Sequence, residues 1–434
     1  MRAARAASRH ICILAQLCND GTVLTALADR TYRRLFTAQA ISLAGTGLAT
    51  VALGLLAYDL AGDDAALVLG TVFAIKMVAY VAVAPVAAAV VHAAPPRVVL
   101  VSADLVRVVV VLGLPLVTAT WQVYVLVLVL QAASAVHTPT YQAVLPRVLP
   151  DERPYTQALS LSRLAEDLEM LLSPLLAALL LLVVPSSGLF VGTAAGFAIS
   201  AALVLRTTLG RAPVEVDAGP QPFRTRVRRG IDLMLHTPAL RPVLALNLAV
   251  AAGGAYALVQ YVVIARTVFD GGDGTAALLL AALGAGSITV AVLLPRALEA
   301  LPERPLMLGG ATVLALATGA TAAALAVPGT GGLVLVGVLF ALVGAGWAAA
   351  ETPVGRIITR STPEADRPAV FAAQFSLSHA CWLVTYPLAG WLGRLGLPGA
   401  AITLAVVSAL AVAATAALWP RTAPRPRTSA DVTG

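Results

Sequence analysis

The feature that most constrains this chain is a series of long apolar runs, of which LLSPLLAALLLLVV (residues 171–184) is the plainest. A helix of about 20 such residues crosses the hydrocarbon core of a bilayer, where only helices and closed barrels satisfy every backbone polar group. Barrel strands read instead as alternating segments of about 10 residues. Of the 434 residues, 59% are apolar and 12% charged, against roughly a quarter charged in soluble domains. That composition excludes a soluble enzyme and implies an all-α membrane protein.

Twelve spans are legible, at 35–60, 66–91, 98–118, 121–145, 156–184, 187–205, 241–268, 275–299, 306–326, 332–358, 368–392 and 397–419. They form two six-helix halves, 35–205 and 241–419. An extension of 1–34 precedes them, a linker of 206–240 joins them and a tail of 420–434 follows. Residues 1–27 hold no apolar run of span length. Low order is expected there, and deletion of 1–22 should leave expression intact. The run 11–18 is too short for a secretory leader, and Cys12, Cys18 and Cys381 make no disulfide framework. In the linker, Phe223, Val227, Ile231, Met234 and Leu235 share one helical face, with Arg224, Arg228 and Arg229 largely elsewhere. This describes either an amphipathic helix on an anionic leaflet or a solvated linker helix.

Of the 29 basic residues, 28 are Arg and one is Lys. The segments on the side of the two termini hold 24 of them. Arg266 and Arg394 fall on the other side, with Asp59, Asp63, Asp64, Asp270 and Asp273. The positive-inside rule then places both termini in the cytoplasm of a bacterial inner-membrane protein. The formal charge of +7 reads as loop charge, with no nucleic-acid partner implied.

The chain also repeats itself. Residues 137–177 run HTPTYQAVLPRVLPDERPYTQALSLSRLAEDLEMLLSPLLA, and 351–390 run ETPVGRIITRSTPEADRPAVFAAQFSLSHACWLVTYPLAG. Pro139 and Pro353 are 214 apart; Pro150 and Pro363, like Pro174 and Pro387, are 213 apart. Two parallel halves about an axis along the membrane normal are implied.

These stretches, with TYRRLFTAQAISLAGTGLATVALGLLAYDLAG and ADLVR, resemble the major facilitator superfamily over residues 30–419. They are similar to its drug:proton-antiporter branch. AIKMVAYV and DRPAVFAAQFSLSHACWLVTYPLAGWLG look closer still to the nickel-resistance (Nre-type) exporters of that branch. The resemblance implies the superfamily fold and a monomeric, cofactor-free, proton-coupled exporter of a nickel- or cobalt-like metal cation working by alternating access, the alternative being an exporter of amphipathic organic compounds. Two departures bear on this. The superfamily's loop between spans 2 and 3 reads G-x-x-x-D-R-x-x-R-R, whereas here Ala88, His92, Ala93 and Pro96 replace four of those positions and Arg97 remains. An inner lock weakened in this way is expected to be pH-sensitive through His92. The tail PRTAPRPRTSADVTG also lacks the His-rich character of some nickel-resistance relatives.

Ionisable groups inside a membrane are costly, and usually face a cavity or a partner. Lys76 lies near the middle of span 2. Span 5 carries Arg163, Glu166, Asp167 and Glu169, and Arg163 and Asp167 are spaced to pair. An unpaired carboxylate in low dielectric can hold a proton near neutral pH. Glu169, the deepest acid, is therefore the expected proton carrier, with Lys76 tuning it; the alternative is that Arg163 and Lys76 neutralise these acids as fixed helix contacts. His379 in span 11 is either a packing residue or a ligand in the substrate cavity with Lys76 and Glu169, and it is the one candidate for a metal. His92, Arg97, Asp104, Arg107, His137, Glu299 and Glu351 lie toward the cytoplasmic ends, where they are either gate residues or interfacial side chains. Gly192 and Gly196 form a packing motif. There is no phosphate-binding loop, HExxH or Cys/His zinc spacing. A membrane enzyme would need such a cluster; a transport-inactive sensor remains the other alternative.

Overall fold

The computed structural model describes residues 23–93, 95–207, 209, 223–363 and 366–420. Two short helices and the linker helix punctuate twelve long ones. They are α1 (Val23–Ala28), α2 (Arg30–Ala61), α3 (Ala65–Ala93), α4 (Pro96–Gly113), α5 (Thr120–Val148), α6 (Glu152–Leu180) and α7 (Ser186–Leu205), then the linker helix α8 (Phe223–His236). The second half holds α9 (Arg241–Val263), α10 (Asp273–Ala300), α11 (Glu303–Ala324), α12 (Gly329–Glu351), α13 (Val354–Ser361), α14 (Arg367–Leu395) and α15 (Leu397–Leu418). The long helices alternate in direction, so both ends of the described chain and the linker lie at one end of the bundle. We call that end proximal and the other distal.

Among the described residues, nine stretches are long and apolar enough to cross a membrane, the first running from α2 into α3, and two of the long helices lie in none of them. These two are α6 and α14, which the repeat pairs with each other. Both carry ionisable residues in mid-helix and an internal proline, Pro174 or Pro387. Outward-facing side chains elsewhere are apolar, as at Leu116 (80% exposed) and Val109 (72%). Such a surface suits lipid and not water.

The repeat extends to side-chain contacts. Ser162 on α6 donates to Gln39 Oε1 on α2 at 3.0 Å. In the second half, Asn247 on α9 and Gln374 on α14 exchange two amide hydrogen bonds of 3.2 and 2.9 Å. Likewise Thr193 on α7 donates to Gly45 O, and Ser408 on α15 donates to Ala249 O. In each half the first helix is thus tied to the fifth and the sixth by one buried polar contact. Gly196 permits the α2–α7 approach: a methyl there would lie 3.3 Å from Ile41 O.

The first half begins earlier than the sequence suggests. Asp29 caps α2 by accepting from Tyr32 N at 2.7 Å. Ala26, Tyr32 and Leu35 are fully buried, and Ala26 N donates to Gln157 Oε1. Residues 23–34 therefore belong to the packed half and not to a separate extension; 1–22 lie outside the described residues.

The linker helix does not lie alone on a surface. It packs on α14, where a methyl at Gly230 would strike Ala369 O. Arg229 grips Asp366 with both Nε and Nη2, at 2.6 and 2.9 Å. Met234 is fully buried.

Candidate functional site

The halves meet chiefly through α3 against α14 and α6 against α10, with α9 the most enclosed helix. Lys76 lies 11 residues into α3 and His379 12 residues into α14, each about 17 Å along its helix. The antiparallel pairing brings them together, close enough for the ammonium to act electrostatically on the imidazole. His379 Nδ1 lies 2.7 Å from Phe375 O. A carbonyl can only accept, so Nδ1 donates, and in the neutral ring Nε2 keeps its lone pair. The imidazole also stacks on the Phe375 ring at 3.9 Å.

An aromatic series continues from this point toward the distal end. Trp347 packs on Trp382, Trp382 on Tyr386 and Tyr386 on Phe73, each at 4.9 Å between ring centroids. The last contact crosses from α14 to α3 and so joins the halves. Trp382, Tyr386 and Phe73 are buried, while Trp347 is half-buried and Phe375 is 53% exposed. Glu351 accepts from Trp347 Nε1 at 3.0 Å and acts electrostatically on Tyr386 and Cys381. Glu351, the last residue of α12, thus reaches this set from the end of its helix.

Glu169 lies on the face of α6 that meets α2. Gly47 makes the room: a side chain there would strike Ser173 and come within 2.9 Å of Glu169 Oε1. The side chains of Arg163, Glu166 and Asp167, expected to share the proton role, lie outside the described residues, as do those of His92 and Glu299.

Three residues read as gate residues stand elsewhere. Asp104 and Arg107 on α4 are hydrogen-bonded to each other, and His137 Nε2 on α5 lies 3.8 Å from Asp104 Oδ1. Arg107 lies 4.4 Å over the Phe197 ring of α7. All three are within 7% of complete burial. They form a charge cluster inside the first half, because one turn of α4 points both charges inward. Arg97 likewise stays within the half and donates to Leu205 O.

The distal end is closed between the halves. Arg266 lies 3.9 Å from Asp59 and is paired to Asp273, while Arg394 meets Asp64 at 2.7 Å. Thr267 donates to Asp63 at 2.9 Å and lies 3.1 Å from Tyr58 OH. Just inside, Tyr261 OH donates to Val51 O. A methyl at Gly70 would come within 2.5 Å of Tyr386 O, and one at Gly390 within 2.6 Å of Ala66 O. The sequence reading used these charges only for orientation. Their signal was there: acids on the first half's distal turn, arginines on the second's.

The Major Facilitator Superfamily model matches residues 35–384, and the chain belongs to that family. It is a multi-pass membrane protein of the transporter class. Solved structures share the fold. The nucleoside transporter NupG is 12% identical with a TM-score of 0.70, covering 90% of this chain and 99% of its own. A bacterial homologue of the human lysosomal transporter Spinster is 12% identical at 0.66, covering 90% and 98%. The D-xylose–proton symporter is 13% identical at 0.64, covering 91% and 98%. No curated protein matches this chain in sequence.

Proposed function

We propose that this chain exports amphipathic organic solutes with a planar or aromatic part, by proton-driven alternating access of its two halves. The observation that carries the solute class is the Phe375–His379 stack and the Trp347 indole, flanked by Lys76 and by Glu351, where the halves meet. Rings of this kind bind planar groups by offset stacking, and a cation and an acid orient a polar end. The closed distal end is the outer side on the positive-inside assignment, in the bacterial inner membrane. Glu169 is the proton carrier: it is an acid within a span, placed where α6 meets α2.

A nickel- or cobalt-type cation is the second reading, and His379 with its available Nε2 is the observation that favours it. The ammonium of Lys76 beside that imidazole opposes a divalent cation. Among the described residues, no three of His, Cys, Asp and Glu converge.

The test is a resistance panel in an efflux-deficient host, comparing planar organic compounds with nickel and cobalt. Protection against the organic compounds, weakened by Trp347→Ala, is expected. Protection against the metals alone would overturn the solute class.

A further inference from the structure

One face of α14 carries more rings than the central set uses. Phe371, Phe375, His379, Trp382 and Tyr386 follow one another at spacings of four, four, three and four residues. At about 100° per residue they fall within a stripe roughly 80° wide, over about 22 Å of helix. Contacts on either flank show where the stripe points. Gln374 on one side bonds Asn247 of α9, and Gly390 on the other approaches Ala66 of α3. The linker helix covers the back, at Ala369 and Ala373. The stripe therefore faces between α9 and α3, into the junction of the halves and away from lipid. Its distal rings, Trp382 and Tyr386, are buried, whereas Phe375 is 53% and Phe371 43% exposed. Beside Phe371 stands Gly355 of α13, where a methyl would lie 3.9 Å from the ring and meet no other atom within 4 Å. Gly355 is not among the glycines with positive φ, so its backbone does not call for glycine. What the missing side chain leaves is open space next to a half-bare ring.

We infer that Phe371, with the space left by Gly355, is a loading subsite for planar aromatic solutes, occupied before the inner position at Phe375, His379 and Trp347. A half-exposed ring keeps apolar surface in water, and a solute that stacks on it removes that surface. Successive ring positions on the stripe are about 6 Å apart along the axis. A fused-ring solute therefore reaches the Phe375–His379 stack before it leaves Phe371. The arginines of α13, Arg356 and Arg360, are engaged by Glu303, so this step selects by planarity more than by charge. With the distal end closed, a solute enters and leaves the junction past Phe371. That makes Phe371 a specificity-determining residue. The inference rests on the proposed solute class and needs neither proton coupling nor a direction of transport.

Binding kinetics separate a loading subsite from the inner site. Three planar fluorescent probes, a quinolone, an acridine and a phenanthridinium dye, are mixed with the full chain in detergent and followed by stopped-flow fluorescence. Phe371→Ala should slow association and dissociation alike, about 3- to 10-fold, and leave the affinity near the parent's. Phe371→Trp should restore both rates. Gly355→Leu keeps every ring but fills the space beside Phe371, and should slow both rates similarly. Trp347→Ala should instead weaken the affinity. The melting temperature should stay at the parent's in Phe371→Ala and Gly355→Leu, since one ring is half exposed and the glycine has no other close neighbour. Parent rates in both variants, with weakened affinity in Trp347→Ala, would overturn the loading subsite and leave the solute class standing. Weaker affinity at an unchanged association rate in Phe371→Ala would also overturn it, by placing Phe371 in the inner site. A parent protein that binds none of the three probes would remove the solute class, and the subsite with it.

Discussion

Individual residues show how burial changes the meaning of a charge. Asp104 and Arg107 are three apart on one helix, as an exposed helix pair would be. A solvated pair of that kind contributes only tenths of a kcal/mol. Here neither side chain is more than 4% exposed, and removing Asp104 takes from the buried Arg107 the carboxylate it is hydrogen-bonded to. Asp104→Ala should therefore cost about 3–5 kcal/mol, read as a lower melting temperature in detergent. Asp104→Ala with Arg107→Leu should recover part of it. Glu169→Gln should fold normally and abolish substrate-driven proton movement in proteoliposomes; coupling at the parent level would remove Glu169 from the proton role. His379→Ala should leave a stable protein with weakened efflux of planar solutes. Loss of metal tolerance alone would return the metal reading to first place.

At the scale of elements, the linker helix is a strap and not a free tether. Arg229 draws the Asp366 carboxyl below its ordinary range, chiefly by hydrogen bonding and then by charge. A carboxyl depressed in the docked state contributes fully above its free value of about 4 and loses that contribution as pH falls below it. Protease protection of residues 223–236 should thus be flat from pH 8 to 5 and fall only in stronger acid. Arg229→Ala should lower it at every pH in that range. The cap of α2 makes a second prediction. Asp29→Ala removes the acceptor for Tyr32 N and should cost about 1 kcal/mol. A change of that size in thermal unfolding would confirm that the first half starts near Asp29.

For the whole molecule, the twofold repeat predicts that equivalent contacts carry equivalent loads. Thr193→Val and Ser408→Val each remove one buried hydroxyl donation to the first helix of a half. Each should cost about 1 kcal/mol, and the two costs should add because the sites share no partner. A much larger loss at one site would show that the halves do not bear load alike.

The sequence by itself determined the membrane class, the long helices, the two halves and the superfamily. These follow from hydropathy and from an internal period, both of which are properties of the chain read in order. It also marked α6 and α14 as the polar pair, because ionisable residues in a span are costly wherever the span packs. What it did not settle was partnership. Lys76 comes within electrostatic range of His379 because α3 and α14 run antiparallel across the junction of the halves, 303 positions apart in the chain. Asp104, Arg107 and His137 read from the sequence as lying toward span ends, a pattern shared by gate residues and by buried clusters. Only the packing of α4 against α5 and α7 chose the second. Residues 23–34 read as part of an N-terminal extension because their burial depends on α6 and is not visible in local hydropathy. The distal arginines orient the chain in any fold of this class. Their contact with the first half's acids was decided by the tertiary structure, through a glycine turn at Gly62 and a π-helical segment (Ile264–Val268) that turn both sets of charges toward the same boundary.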